Sequence, residues 1–197
     1  MKVYDISQEV FSSKVYPGDP APQKQALSAI QNGDVCNLTA FSMCAHNGTH
    51  IDAPYHFIEG GKTVDALPLS KTVGQAFVAH FNGTLSADDA KEILLCAQKE
   101  SPECAKRILI GGNATVSLEA AKVFADAKID LLGNESQTVG PEDAPMAVHK
   151  ALLSAEIVLL EGIRLKEVPM GAYLLSAAPL SLEGADGAPC RAILLKI

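Results

Sequence analysis

Four short apolar runs, "GQAFVAHF" (Gly74 to Phe81), "RILIGG" (Arg107 to Gly112), "IDLLG" (Ile129 to Gly133) and "EIVLLEG" (Glu156 to Gly162), are separated by segments with helical character. Ser86 stands three residues before Asp89 in "LSADDAKEILLCAQKE", a near-capping-box start for a helix through about Lys99. Ser117 opens the amphipathic "SLEAAKVFADAK", and Pro145 stands near the start of "APMAVHKALLSA". Strands joined through helices cannot pair as hairpins, so this alternation predicts a parallel sheet with a helical layer.

The two ends read differently. "KVYDIS" (Lys2 to Ser7) alternates as a strand, "VYPGDPAP" (Val15 to Pro22) is a rigid loop presenting Tyr16, and Cys36 to Cys44 reads as a strand running into the segment that follows. No good helix is expected in the first eighty residues. At the C-terminus "YLLSAAPLSL" and "PCRAILLKI" flank "EGADGA", where Asp186-Gly187 reads as a hairpin turn between antiparallel strands. The expectation is one α/β domain over residues 1–197, a β-rich N-terminal region combined with a parallel core.

Composition excludes several classes of function. With 48% hydrophobic and 20% charged residues the chain reads as soluble and globular, and no apolar run approaches the roughly eighteen residues of a membrane span. A formal charge of −7 without clustered Lys and Arg argues against a nucleic-acid surface, leaving a small molecule as the expected partner. Five cysteines, an odd number with no C-x-x-C pair, and an N-terminus without the pattern of a secretory signal predict a cytoplasmic protein.

Three of the five histidines crowd into "CAHNGTHIDAPYHF", Cys44 to Phe57. His46 and His50 alone would suit one helical face, but Asp52 falls off that face and Pro54 disfavours helix. In an extended chain His46, His50, Asp52 and His56 share one parity, with Gly48 and Thr49 placed to bend the strand and bring the two imidazoles together. Two imidazoles and a carboxylate are ligands that zinc accepts in catalytic sites, and manganese takes the same set. Cys44 shares the parity and is read as a small packed residue.

The segment "HNGTHIDAPYHF" matches the signature H-x-G-T-H-x-D-x-P-x-H, and the likeness extends from "VYPGD" to "GADGAPCRAILL". The chain thereby resembles the putative cyclase family of metal-dependent hydrolases, which includes bacterial kynurenine formamidases and isatin hydrolases. That resemblance implies a swivelling β/β/α fold in three layers: a mostly parallel sheet, an antiparallel sheet and helices. It implies that His46, His50 and Asp52 bind a divalent metal, zinc or manganese, and that His56 is the proton donor and acceptor. It further implies that His149 and Glu161, twelve residues apart, complete a two-metal site, and that the chain forms a homodimer or a higher homo-oligomer. Glu161 is conspicuous on its own, because a carboxylate closing an apolar strand is costly to bury without a cation.

Two departures bear on the substrate. Tyr16 stands where the formamidases carry a tryptophan that faces the substrate ring, and Asn134 and Glu135 occupy polar positions that differ from the formamidase pattern. The expected chemistry is hydrolysis of a small, arylformamide-like amide or cyclic amide by a metal-bound hydroxide, with His56 passing the proton to the departing nitrogen. The alternatives are a metal-occupied binding or sensor protein without turnover, and a metal-assisted lyase or cyclase. Serine chemistry is disfavoured, since no G-x-S-x-G elbow is present.

Overall fold

A computed structural model describes residues 1–196 of the chain. The strands are β1 (Lys2–Asp5), β2 (Gln23–Ser28), β3 (Leu38–Ser42), β4 (His50–Asp52), β5 (Val73–His80), β6 (Gly83–Leu85), β7 (Arg107–Gly111), β8 (Ala114–Val116), β9 (Leu131–Asn134), β10 (Val158–Glu161), β11 (Gly171–Ser176), β12 (Gly187–Pro189) and β13 (Ile193–Lys196). Three α-helices join them: α1 (Ala87–Glu100), α2 (Leu118–Asp126) and α3 (Met146–Ser154). Ile197, the last residue of the strand expected at the C-terminus, lies outside the described residues.

Nine strands form one mixed sheet in the order β1-β13-β11-β5-β7-β9-β10-β4-β12. Its centre, β5-β7-β9-β10, is parallel, as the helical crossovers require. Antiparallel strands continue the same sheet on both flanks, β11, β13 and β1 beyond β5 and β4 and β12 beyond β10. A ribbon of β2 and β3 and a short parallel pair of β6 and β8 stand apart from it.

Helix starts follow local chemistry. The Ser86 hydroxyl accepts from the Asp89 amide while the Asp89 carboxylate accepts from the Ser86 amide, the reciprocal box that opens α1. Ser117 likewise caps α2 through the Ala120 amide, and Pro145 precedes α3.

Alternation along the central strands sorts their side chains between two apolar layers. Phe77, Ala79, Ile108, Ile110, Leu132 and Leu159 pack with Phe124 and Leu152 of the helices. Val78, Leu109, Leu131, Val158 and Leu160 face the other side, with Ile6, Ile51 and Leu194. Glu161 shares the parity of Leu159 and so belongs to the helical side, under α3.

The C-terminal turn departs from expectation. Antiparallel β11 and β13 are neighbours, but Asp186-Gly187 is not the turn between them. The intervening chain crosses to the far edge of the sheet, where Gly187 to Pro189 pairs with β4. An edge strand with unpaired backbone groups on β4 is a stronger attractor than a local turn preference.

Candidate metal centre

β4 pairs antiparallel with β10 so that His50 lies opposite Glu161 and Asp52 opposite Leu159. Pairing on one face brings His50, Asp52 and Glu161 together beneath α3, whose first turns carry His149. These four residues are each no more than 3% exposed.

The two imidazoles are oriented by main-chain carbonyls. His50 Nδ1 lies 3.1 Å from the Gly48 oxygen and His149 Nδ1 2.9 Å from the Pro145 oxygen, so each Nδ1–H donates outward and each Nε2 is turned inward. His50 Nε2 faces Asp52 Oδ1 at 3.3 Å and Glu161 Oε2 at 3.6 Å. His149 Nε2 faces Glu161 Oε1 at 3.4 Å and Asp52 Oδ2 at 3.8 Å. His46 adds Nδ1 at 2.8 Å from Asp52 Oδ1.

Only part of the expected strand geometry holds. His50 and Asp52 share a strand face, but His46 and His56 do not lie on that strand. His46 sits in a turn that Asn47 closes, its side-chain oxygen accepting from the Cys44 amide and its own amide donating to the Cys44 carbonyl. Gly48, at φ +67°, then redirects the chain into β4. His56 ends a 3-10 turn opened by Pro54, which fixes the backbone against continued strand. The turns bring both imidazoles over the strand end, their ring centroids 4.1 Å apart.

The donor set fits a divalent cation. Lone pairs of neutral imidazoles aimed at carboxylates leave acceptors facing acceptors, which a proton or a metal must resolve. Asp52 Oδ2 is buried without a hydrogen-bond partner, a state that normally costs a few kcal/mol. His46, His50 and Asp52 form one group able to hold an ion, and Asp52, His149 and Glu161 a second, with Asp52 common to both.

Protonation directions carry the same strain. Burial lowers the His46 pKa, but contacts with Asp52 and then Asp186 outweigh it and raise the group to about 10. Burial likewise opposes the charged forms of His50 and His149, and the neighbouring carboxylates pull both upward. Asp52 goes well below the carboxylate range, because hydrogen bonds from His46 and His50 overcome its burial. Glu161 goes up, through burial first and then the charge of Asp52. Two carboxylates in one dry site push their proton affinities apart.

A cavity of about 220 Å³ opens onto the cluster, lined by Tyr16, Phe57, Gln137, Thr138, His56 and Glu161 among others. Tyr16 is half-buried in its wall, with the hydroxyl 3.4 Å from the Glu142 carbonyl. Cys44 is outside the cluster; its thiol approaches Asp19 Oδ2 at 3.7 Å.

Asn134 and Glu135 do not line the cavity. Glu135 accepts from the Gly112 and Leu165 amides, and Asn134 Nδ2 donates to the Thr138 oxygen. Together they brace the loop that presents Gln137 and Thr138, two cavity residues that no sequence motif marks. Nor does one mark Asp186, whose Oδ2 lies 2.9 Å from both His46 Nε2 and His56 Nδ1. Burial raises the Asp186 carboxyl, and the hydrogen bonds from the two imidazoles more than offset this and lower it. It falls within the C-terminal stretch of the family likeness, where an acidic residue between small ones in "GADGAP" reads as turn chemistry.

The putative cyclase family model matches residues 4–141. Kynurenine formamidase from Salinibacter ruber is 35% identical over 211 residues, covering 98% of this chain and 97% of the relative. A solved structure described as a potential metal-dependent hydrolase with cyclase activity superposes with a TM-score of 0.80 at 31% identity, covering 98% of this chain and 96% of that one. An isatin hydrolase bound to the product analogue thioisatinate has the same fold, with a TM-score of 0.82 at 19% identity over 99% of this chain and 92% of that one. A family match that spans the histidine-rich segment, and a likeness over nearly the whole length, place this chain in the putative cyclase family.

Proposed function

We propose that the chain is a metal-dependent hydrolase of a small, arylformamide-like amide or cyclic amide. The observation that carries the reading is the inward aim of His50 Nε2 and His149 Nε2 at the buried carboxylates of Asp52 and Glu161. Kynurenine formamidase relatives spanning the chain supply the substrate class. His46, His50 and Asp52 would hold one cation, and Asp52, His149 and Glu161 would hold a second.

A divalent cation at this position, zinc or manganese, lowers the pKa of water and polarises a carbonyl. The protein's own groups do the rest. His56 borders the cavity with Nδ1 engaged by Asp186, so Nε2 is the atom left to exchange a proton with water and with the departing nitrogen. Phe57 and Tyr16 give the cavity aromatic walls, and its volume suits one small ring and an amide. The Tyr16 hydroxyl, 3.4 Å from the Glu142 carbonyl, adds a polar edge to those walls.

Sheet pairing from β1 through β13 supports a single domain. No helix among the described residues is long and apolar enough to cross a membrane. All five cysteines are free, in keeping with a cytoplasmic setting. Exposed Phe11, Phe41 and Leu180 offer apolar area for a homodimer or larger assembly.

The test is a pair of variants assayed on formanilides, isatin and small lactams. His56→Ala should retain metal and lose turnover by about 10²- to 10⁴-fold; His50→Ala should lose the metal. Full turnover in either variant rejects the role assigned to that histidine, and substrate consumption without incorporation of labelled water rejects hydrolysis.

A further inference from the structure

We infer that Asp186 is a positioning residue that locks a metal-ligand imidazole and the acid–base imidazole to one another through a single carboxylate oxygen. The inference rests on the hydrolase reading for the roles of His46 and His56. The geometry stands independently of it: Asp186 Oδ2 is 2.9 Å from His46 Nε2 and 2.9 Å from His56 Nδ1.

His46 differs from its neighbours in how it is held. His50 and His149 each give their outer N–H to a main-chain carbonyl, Gly48 and Pro145. His46 points Nδ1 at Asp52, at the centre of the candidate cluster, and gives Nε2–H to a side-chain carboxylate. A charged acceptor outside a ligand imidazole fixes its tautomer and raises its basicity toward the ion.

The same oxygen takes His56 Nδ1–H, which turns His56 Nε2 toward the cavity. Any displacement of Asp186 therefore moves both rings, which lie at a centroid separation of 4.1 Å with their planes inclined by 30°. The side chain is 41% exposed, so the acceptor also has a route to solvent.

Two features make room for this arrangement. Gly187 has no side chain, and a Cβ there would come within 2.7 Å of His46 Cε1. The Asp186 backbone is anchored separately, its carbonyl accepting from the Ala53 amide at 2.9 Å while the Ala185 carbonyl accepts from the Val64 amide. Removing the carboxylate thus leaves the loop's own hydrogen bonds in place.

The experiment compares Asp186→Ala and Asp186→Asn with the parent protein, each checked for folding by thermal denaturation. Competition against a chromophoric chelator should show zinc affinity falling by about 10- to 100-fold in Asp186→Ala, at unchanged stoichiometry. Long-range ¹H–¹⁵N spectra of the zinc-loaded parent should show His56 as the Nδ1–H tautomer, and Asp186→Ala should lose that preference. At saturating zinc, kcat on a formanilide should drop about tenfold or more with KM nearly constant. Asp186→Asn, which keeps one acceptor oxygen and the shape, should fall between.

Unchanged affinity and tautomer in Asp186→Ala would overturn the inference. So would loss of one whole equivalent of zinc, since His46, His56 and Asp186 also form a group able to hold an ion and Asp186 would then be a ligand. A parent protein that binds zinc but consumes no formanilide, isatin or lactam defeats the hydrolase reading instead. Affinity and tautomer still decide the role of Asp186 in that case.

Discussion

Loading the centre with metal should expel protons, and the number is readable from the imidazoles. Without an ion, His46 is raised to about 10, so at pH 7 it carries essentially a full proton. His50 and His149 are raised as well. A nitrogen that binds a metal must be bare, so each protonated ligand releases its proton as the ion enters. Stripping His46 at a pH three units below its pKa costs about 4 kcal/mol, which the ion must offset. Calorimetric titration of zinc at pH 7, in buffers of differing ionisation enthalpy, gives the count from the slope of apparent enthalpy against buffer enthalpy. More than one proton should leave per protein, and apparent affinity should rise with pH between 6 and 9. A slope of zero would mean that the imidazoles are already bare and that the acceptor-against-acceptor account of the site is wrong. The metal-free fold has a matching pH dependence. Because the folded pKa of His46 lies above its unfolded value of 6.5, its contribution is fully present below pH 6.5 and is lost as pH rises toward 10. Asp52 acts in the opposite sense, contributing above its unfolded pKa of 3.8 and losing that contribution as pH falls through its lower folded pKa. Thermal unfolding of chelated protein should therefore show a stability maximum between these limits.

Other substitutions probe the framework. Gly187→Ala should weaken zinc binding measured by chelator competition, because its Cβ would press on the His46 ring at 2.7 Å. Gly162→Ala should destabilise the fold by more than about 1 kcal/mol in urea titration, since φ is +69° and its Cβ would lie 2.4 Å from the Gly48 oxygen that orients His50. Ser86→Ala should cost about 1 kcal/mol in the same assay with zinc affinity unchanged, as it removes only the cap of α1. Phe124→Ala should cost about 3–5 kcal/mol, because its ring is fully buried between the helices and the sheet.

The parallel core was legible because period and punctuation agree there. Apolar runs such as "RILIGG" are too short for helices, and Ser86 and Ser117 mark the helix starts between them. The flanks were less so: a strand of three residues such as β12 has no periodicity to detect, and its partner β4 lies more than a hundred residues away. The grouping of His46, His50 and Asp52 could be read because residue type and clustering are visible along the chain. The means of convergence could not, for parity put four groups on a strand that is in fact three residues long and flanked by turns.

Pairing register, which sequence does not display, decides what those residues become. Antiparallel β10 sets Glu161 against His50 on one edge of β4, and β12 sets Gly187 against Asp52 on the other. The first pairing delivers a second buried carboxylate to the imidazoles. The second places a glycine beneath His46 and carries Asp186 to the ring edges of His46 and His56. A slip of one residue in either register would turn Glu161 away from the helical side or put Cβ of Ala188 where the His46 ring now lies. The histidine-rich stretch is thus only half of the centre, and the strands on either side of β4 are what aim its side chains at a common point.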